Sequence, residues 1–81
     1  MVDRVVISPG ETVVIDTTNN VATVIMLNDG QLRVMNAQNI IYADMSFRLE
    51  MYTCPINTGL YYLINQGSSD IEVLIVREFV Y

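Results

Sequence analysis

The chain has 81 residues, of which 52% are hydrophobic and only 16% charged, with a formal net charge of −5. A single domain of this length buries about 60–65% of the surface its unfolded chain exposes, and ordinary soluble domains carry roughly 25% charged residues. The acidic balance argues against nucleic acid, which needs a basic footprint, and against an anionic membrane surface.

The usual staples of small domains are missing. One cysteine, Cys54, allows no internal disulfide, and the absence of histidine removes the commonest metal ligand. Set against roughly 1.5 kcal/mol of ordering entropy per residue, apolar burial in a lone monomer of this size leaves a balance near zero. Association with other chains is the staple that remains. All the cations are arginine (Arg4, Arg33, Arg48 and Arg77) and lysine is absent. Lysine commonly blunts exposed strand edges, whereas arginine is the cation enriched in interfaces. Cys54, beside Pro55, reads as a small buried hydrophobe and not as a reactive thiol.

Taken in order, the chain is a succession of short apolar runs separated by turn residues. Val2–Ile7 is the first expected strand. Its apolar stretch stops at Ser8-Pro9-Gly10, well short of a signal-peptide core, and there proline and glycine sit where a type II turn wants them. Thr12–Thr17 follows, closed by Thr17-Thr18-Asn19-Asn20. Val21–Leu27 is apolar on both faces and too short to cross a bilayer as a helix. Asn28-Asp29-Gly30-Gln31 then carries the strongest hairpin signal, because Asp-Gly accepts the positive φ of a tight primed turn. Gln31–Met35 and Ile40–Asp44 flank a further turn, Asn36-Ala37-Gln38-Asn39.

Met45–Tyr52, the core of an expected strand Ser46–Cys54, alternates cleanly. Met45, Phe47, Leu49 and Met51 share one side, and Ser46, Arg48, Glu50 and Tyr52 the other, as in a half-buried strand with a wet face. Tyr52 is therefore the aromatic expected to be exposed. After Asn57-Thr58-Gly59, Leu60–Ile64 is two-sided again, with Tyr61 and Tyr62 pointing opposite ways: one to the core, the other to an interface. Asn65 to Asp70 is a polar turn. Ile71–Val80 is the most apolar strand of all: Ile71, Val73, Ile75, Phe79 and Tyr81 line one face, and Leu74, Val76 and Val80 the other. No stretch shows helical spacing with caps.

The expected fold is a single all-β domain over residues 1–81, a compact antiparallel sandwich or jelly-roll-like barrel of about seven to eight short strands. Three two-sided strands exceed what two layers of this size can hide. A symmetric homo-oligomer is expected, with Leu74, Val76, Arg77, Glu78, Phe79, Val80 and Tyr81 as the contact set and Arg77 pairing with Glu78 at the rim or across subunits.

Catalytic constellations are scarce. Without histidine or lysine there is no Ser-His or Cys-His pair, no Schiff base and no Walker loop. Asp44 and Glu50 could formally pair as glycosidase carboxylates, but scattered acids give close pairs by chance. Asn28, Asp29, Asn65 and Asp70 are oxygen-rich loop residues without EF-hand spacing, and they read as turn formers. The chain is expected to be non-enzymatic, with no metal and no cofactor.

The opening Val5-Val6-Ile7-Ser8-Pro9-Gly10-Glu11-Thr12-Val13, the late Tyr62-Leu63-Ile64-Asn65-Gln66-Gly67-Ser68 and the closing Ile71-Glu72-Val73-Leu74-Ile75-Val76 resemble small viral jelly-roll proteins, the capsid decoration (cement) and head-fibre proteins of tailed bacteriophages. The resemblance implies a structural role: a symmetric oligomer, often a trimer, seated on a coat-protein lattice in a virion assembled in the host cytoplasm, with no catalytic residue to carry over. A small receptor- or glycan-binding module, such as an adhesin or fibre head with Tyr52 as its ligand contact, is the alternative.

Overall fold

The computed structural model describes residues 2–18, 20–46, 50–54 and 59–79, with the side chains of residues 20, 21 and 79 set aside. Eight strands are present: β1 (Val2–Ile7), β2 (Thr12–Asp16), β3 (Asn20–Leu27), β4 (Leu32–Met35), β5 (Ile41–Met45), β6 (Glu50–Cys54), β7 (Leu60–Asn65) and β8 (Ile71–Phe79). They form two four-stranded sheets, one ordered β1-β8-β3-β6 (sheet A) and the other β2-β7-β4-β5 (sheet B).

The pairings β1–β8, β2–β7, β3–β6 and β4–β5 are all antiparallel, so the chain is one long ribbon doubled back at the β4–β5 turn. Successive rungs of the ribbon fall alternately in sheet A and sheet B. The coil is closed by β8 against β3 and β7 against β4. This is the two-sheet jelly roll, and the expected all-β sandwich is what the chain forms.

Alternation explains the two layers. In β8, Ile71, Val73 and Ile75 are buried while Leu74 and Val76 remain half-exposed on the outside. In β3 the buried set is Thr23, Ile25 and Leu27, and in β7 it is Tyr61, Leu63 and Asn65. With Ile7, Ile15, Leu32, Val34, Met45 and Cys54 these side chains fill the space between the sheets. Each fully buried aliphatic contributes about 1.5–3 kcal/mol of transfer free energy.

The turns follow local chemistry at the β1–β2 corner and at the ribbon's tip. The Glu11 N–H donates to the Ser8 carbonyl at 3.0 Å and Gly10 has φ 77°, the type II turn expected of Ser8-Pro9-Gly10. At the ribbon's tip, Asn36 Oδ1 accepts the N–H groups of Gln38 and Ile40, both at 2.9 Å, and the Asn36 N–H donates to the Ile40 carbonyl at 3.0 Å. Asn39 takes φ 63°, a conformation asparagine tolerates.

Asn28-Asp29-Gly30-Gln31 is not a hairpin. It is a corner at which the chain leaves sheet A for sheet B. Both edges of β3 are occupied, by β8 and β6, so β4 has no edge to pair with, and ladder competition overrides the local turn preference. Gly30 serves the corner in another way: its φ is 123°, and a Cβ there would run into Cγ2 of buried Ile71. Gly30→Ala is expected to lower stability by about 1–3 kcal/mol, read as a lower urea midpoint at unchanged m-value. An unchanged midpoint would show that the corner relaxes freely.

Met45–Tyr52 is not one strand either. β5 ends at Met45 and β6 begins at Glu50, with the Ser46 N–H donating to Glu50 Oε2 at 2.9 Å. The chain changes sheet here, which reverses the parity facing the core. Met45 is buried as expected, but Met51 is 62% exposed and Tyr52 turns inward against the core. Phe47, Arg48 and Leu49 lie outside the described residues.

A polar knot closes one end of the sandwich. Buried Asn65 donates through Nδ2 to the carbonyls of Ile7 (2.9 Å) and Ser69 (2.8 Å), and its Oδ1 accepts the Gly67 N–H at 2.8 Å. The end of β7 is thereby tied to the end of β1 and to the 66–70 loop. Thr17, also buried, donates through Oγ1 to the Gly59 carbonyl at 2.9 Å.

Candidate functional site

The outer surface of sheet A is a block of apolar side chains that the register lays out in rows. Val2, Val76, Val24 and Thr53 lie side by side across β1, β8, β3 and β6. The next outward-facing row is Arg4, Leu74, Met26 and Met51. Val6 stands beside Glu72 at one end, and Ala22 beside Glu78 at the other. Val2 is 61% and Val6 57% exposed, and Leu74, Val76, Val24 and Met26 are half-buried. A continuous apolar surface of this kind is what marks an interaction site, where scattered single side chains would not.

Leu74 and Val76 thus fall at the centre of this face. Arg77 does not join it. It lies on the inward side of β8, its Nε 3.5 Å from Asp3 Oδ2, and its Nη1 donates to the Asp16 carbonyl at 2.6 Å. Arg77, expected to pair with Glu78 at the rim or across subunits, is engaged by Asp3 and Asp16 of its own chain. Consecutive strand residues point to opposite faces, and Arg77 binds β8 to β1 and to the end of β2 within its own chain. Glu78 is exposed at the end of the apolar block. Val80 and Tyr81, and the side chain of Phe79, lie outside the described residues.

The sequence missed Val2, Val6 and Met51 as members of this surface. Nothing local signals them, because they are brought together only by the β1–β8 and β3–β6 pairings. Val24 and Met26 had a signal in the two-sided character of their strand.

Sheet B has an apolar row of its own, Val14, Tyr62, Met35 and Ile41. It is flanked by a two-point ion pair in which Arg33 Nε and Nη2 donate to the Asp44 oxygens at 2.8 and 3.2 Å. That hydrogen bonding holds the Asp44 carboxyl below the usual carboxylate range. Asp44 and Glu50, the formal carboxylate pair, are thus each engaged elsewhere, Asp44 by Arg33 and Glu50 by the Ser46 N–H.

Tyr52 is not the exposed platform its strand parity suggested. Its ring meets those of Tyr42 and Tyr61, each with centroids 6.3 Å away and edge to face, and Tyr42 lies 5.2 Å from Tyr61. Burial raises the Tyr52 phenol above its ordinary pKa. The cluster joins β5, β6 and β7 through interlocked rings, of which Tyr42 stays 41% exposed. Cys54 is buried, and burial pushes its thiol up to about 11, so it is protonated at neutral pH.

A cleft of about 650 Å³ lies between the Asp29–Gln31 corner and the Gln66–Ile71 segment, with Asp29 and Asp70 both on its wall. Among the described residues no three histidine, cysteine, aspartate or glutamate side chains converge as a metal would need. Asn65, a candidate oxygen ligand by sequence, spends its amide on the polar knot.

No protein-family model matches the chain, and the curated proteins contain no significant match. Among solved structures, the chain is similar to the solution NMR structure of a de novo designed double-stranded β-helix, with a TM-score of 0.77, 20% identity, and coverage of 96% of this chain and 99% of the designed one. That likeness concerns the fold alone.

Proposed function

We propose that this chain is a non-enzymatic assembly protein: a capsid decoration (cement) component of a tailed phage virion, self-associating into a symmetric oligomer and holding coat subunits by non-covalent contact. The observation that carries the reading is the outer surface of sheet A, where Val2, Val24, Met26, Met51, Leu74 and Val76 form one apolar block on a chain with little charge. A block of that kind on a small domain is stabilised by covering it with protein, since the hydrophobic effect scales with the apolar area removed from water. Sheet B's Val14–Tyr62–Met35–Ile41 row gives the opposite side of the slab a second contact, so that one side can hold a copy and the other a coat protein. The jelly-roll strand order is one that virion proteins use, although the fold by itself hosts many functions.

Retention on phage capsids, set beside a glycan-array assay, tests the reading. Stable retention with no sugar signal supports it. Specific sugar binding without capsid retention overturns it in favour of a receptor-binding module.

A further inference from the structure

We propose that two copies close face to face through the outer surface of sheet A, about a two-fold axis that runs along the strands between β8 and β3. The inference rests on the self-association reading above and adds its geometry. It names a second copy of this chain as the occupant, arranged as a two-fold dimer instead of the trimer that the resemblance implies.

Charge selects the axis. Among the described residues, the charged groups on this face are Glu72 and Glu78 on β8 and Arg4 on β1, with Arg4 Nη2 2.5 Å from Glu72 Oε2. The whole chain carries −5, so two copies repel unless acids are kept apart. A two-fold axis across the strands would lay β8 on the partner's β8 in reverse and set Glu72 over the partner's Glu78, twice per dimer. An axis along the strands keeps each row and reverses the strand order. Val76 then meets the partner's Val24, Leu74 the partner's Met26, and Glu78 the partner's Ala22. At the rim, Arg4 meets the partner's Met51. Every acid faces a neutral group, and the apolar block is its own complement, as an isologous interface requires.

Size sets the strength. Four strands about 4.8 Å apart, over a stretch of five residues, cover on the order of 300 Å² of flat sheet per copy. Two faces of that footprint total about 600 Å², below the roughly 1,200–2,000 Å² buried by stable specific complexes and in the range of weak, transient ones. The dimer is therefore concentration-dependent. Its sheets stack about 10 Å apart and close to aligned, like those inside each subunit.

The rim contact gives the test. Met51 is 62% exposed on an edge strand, so substitutions there leave the core intact. Within one chain Arg4 lies on the opposite edge of the sheet, with β8 and β3 between. Met51→Glu puts a carboxylate over the partner's Arg4, whereas Met51→Lys puts an ammonium there. Sedimentation equilibrium at low salt is expected to show the lysine variant dissociating at least 10-fold more readily than the glutamate variant, with the gap narrowing in 1 M salt. Net charge alone predicts the reverse order, because lysine moves the chain from −5 to −4 and glutamate from −5 to −6. Equal or reversed affinities overturn the two-fold arrangement and leave self-association standing, as does a wild-type chain that sediments as a closed trimer. A wild-type chain that stays monomeric at every concentration overturns both.

Discussion

Val76→Asp is expected to abolish self-association while leaving the subunit folded. Val76 occupies the middle of sheet A's outer face, between Val2 on β1 and Val24 on β3. A carboxylate there has no cation across the interface and must shed its water when the faces close, at a cost of several kcal/mol. At about 1.4 kcal/mol per tenfold, a cost of about 3 kcal/mol weakens the complex about 100-fold. In the separated subunit the same side chain is half-exposed on the outer face, pointing away from Ile75 and the core. The subunit loses only the strand preference of valine, up to about 1 kcal/mol. Light scattering should report a monomer, and circular dichroism a melting curve shifted by a few degrees. An unchanged oligomer would remove this face from the assembly; a chain that no longer folds would place Val76 in the core.

Asn65→Ala is expected to lower stability by about 2–4 kcal/mol. Its amide hydrogens satisfy two carbonyls, those of Ile7 and Ser69, and its oxygen satisfies the Gly67 N–H. Alanine strips partners from all three groups; a group left unsatisfied in a buried place costs about 1–3 kcal/mol, which applies in full to the buried Ile7 carbonyl and in part to the half-buried bonds of Ser69 and Gly67. Urea denaturation measures the loss. Asn65→Asp separates hydrogen bonding from volume. It keeps the acceptor for Gly67 but turns a carboxylate toward two carbonyl oxygens, which raises its folded pKa above the ordinary value near 4. A raised carboxyl pKa contributes stability that is present below that ordinary value and lost as pH rises through the folded one. The aspartate variant should therefore recover stability on acidification relative to the alanine variant. Parallel pH profiles for the two would mean that Asn65 matters for packing alone.

Strand positions were legible in the sequence because they depend on period-2 alternation and on turn residues that act over three or four positions. Ser8-Pro9-Gly10 turns as expected, Asn36 shapes the hairpin at the ribbon's tip, and β3, β7 and β8 each bury one apolar face and leave a second outside. The misreadings, at Asp29-Gly30 and at Met45–Tyr52, share one cause. Both are places where the chain passes from one sheet to the other. A local hairpin signal cannot report that a strand's edges are already taken by β8 and β6, and strand parity cannot report that the inward direction reverses at a corner. Tyr52 and Met51 exchanged roles for that reason.

Alternation and composition are local sums over residues, and they suffice to establish a β-rich chain with more apolar face than one small sandwich can cover. Which of those faces lie together is a property of the folded sheets. Val2, Leu74, Met26 and Met51 become one surface through hydrogen-bonded ladders between strands far apart in the chain, and Arg77 is drawn from the rim to Asp3 and the Asp16 carbonyl. Register is set by competition among whole strands for edges and for the core, and no short stretch of residues carries that information.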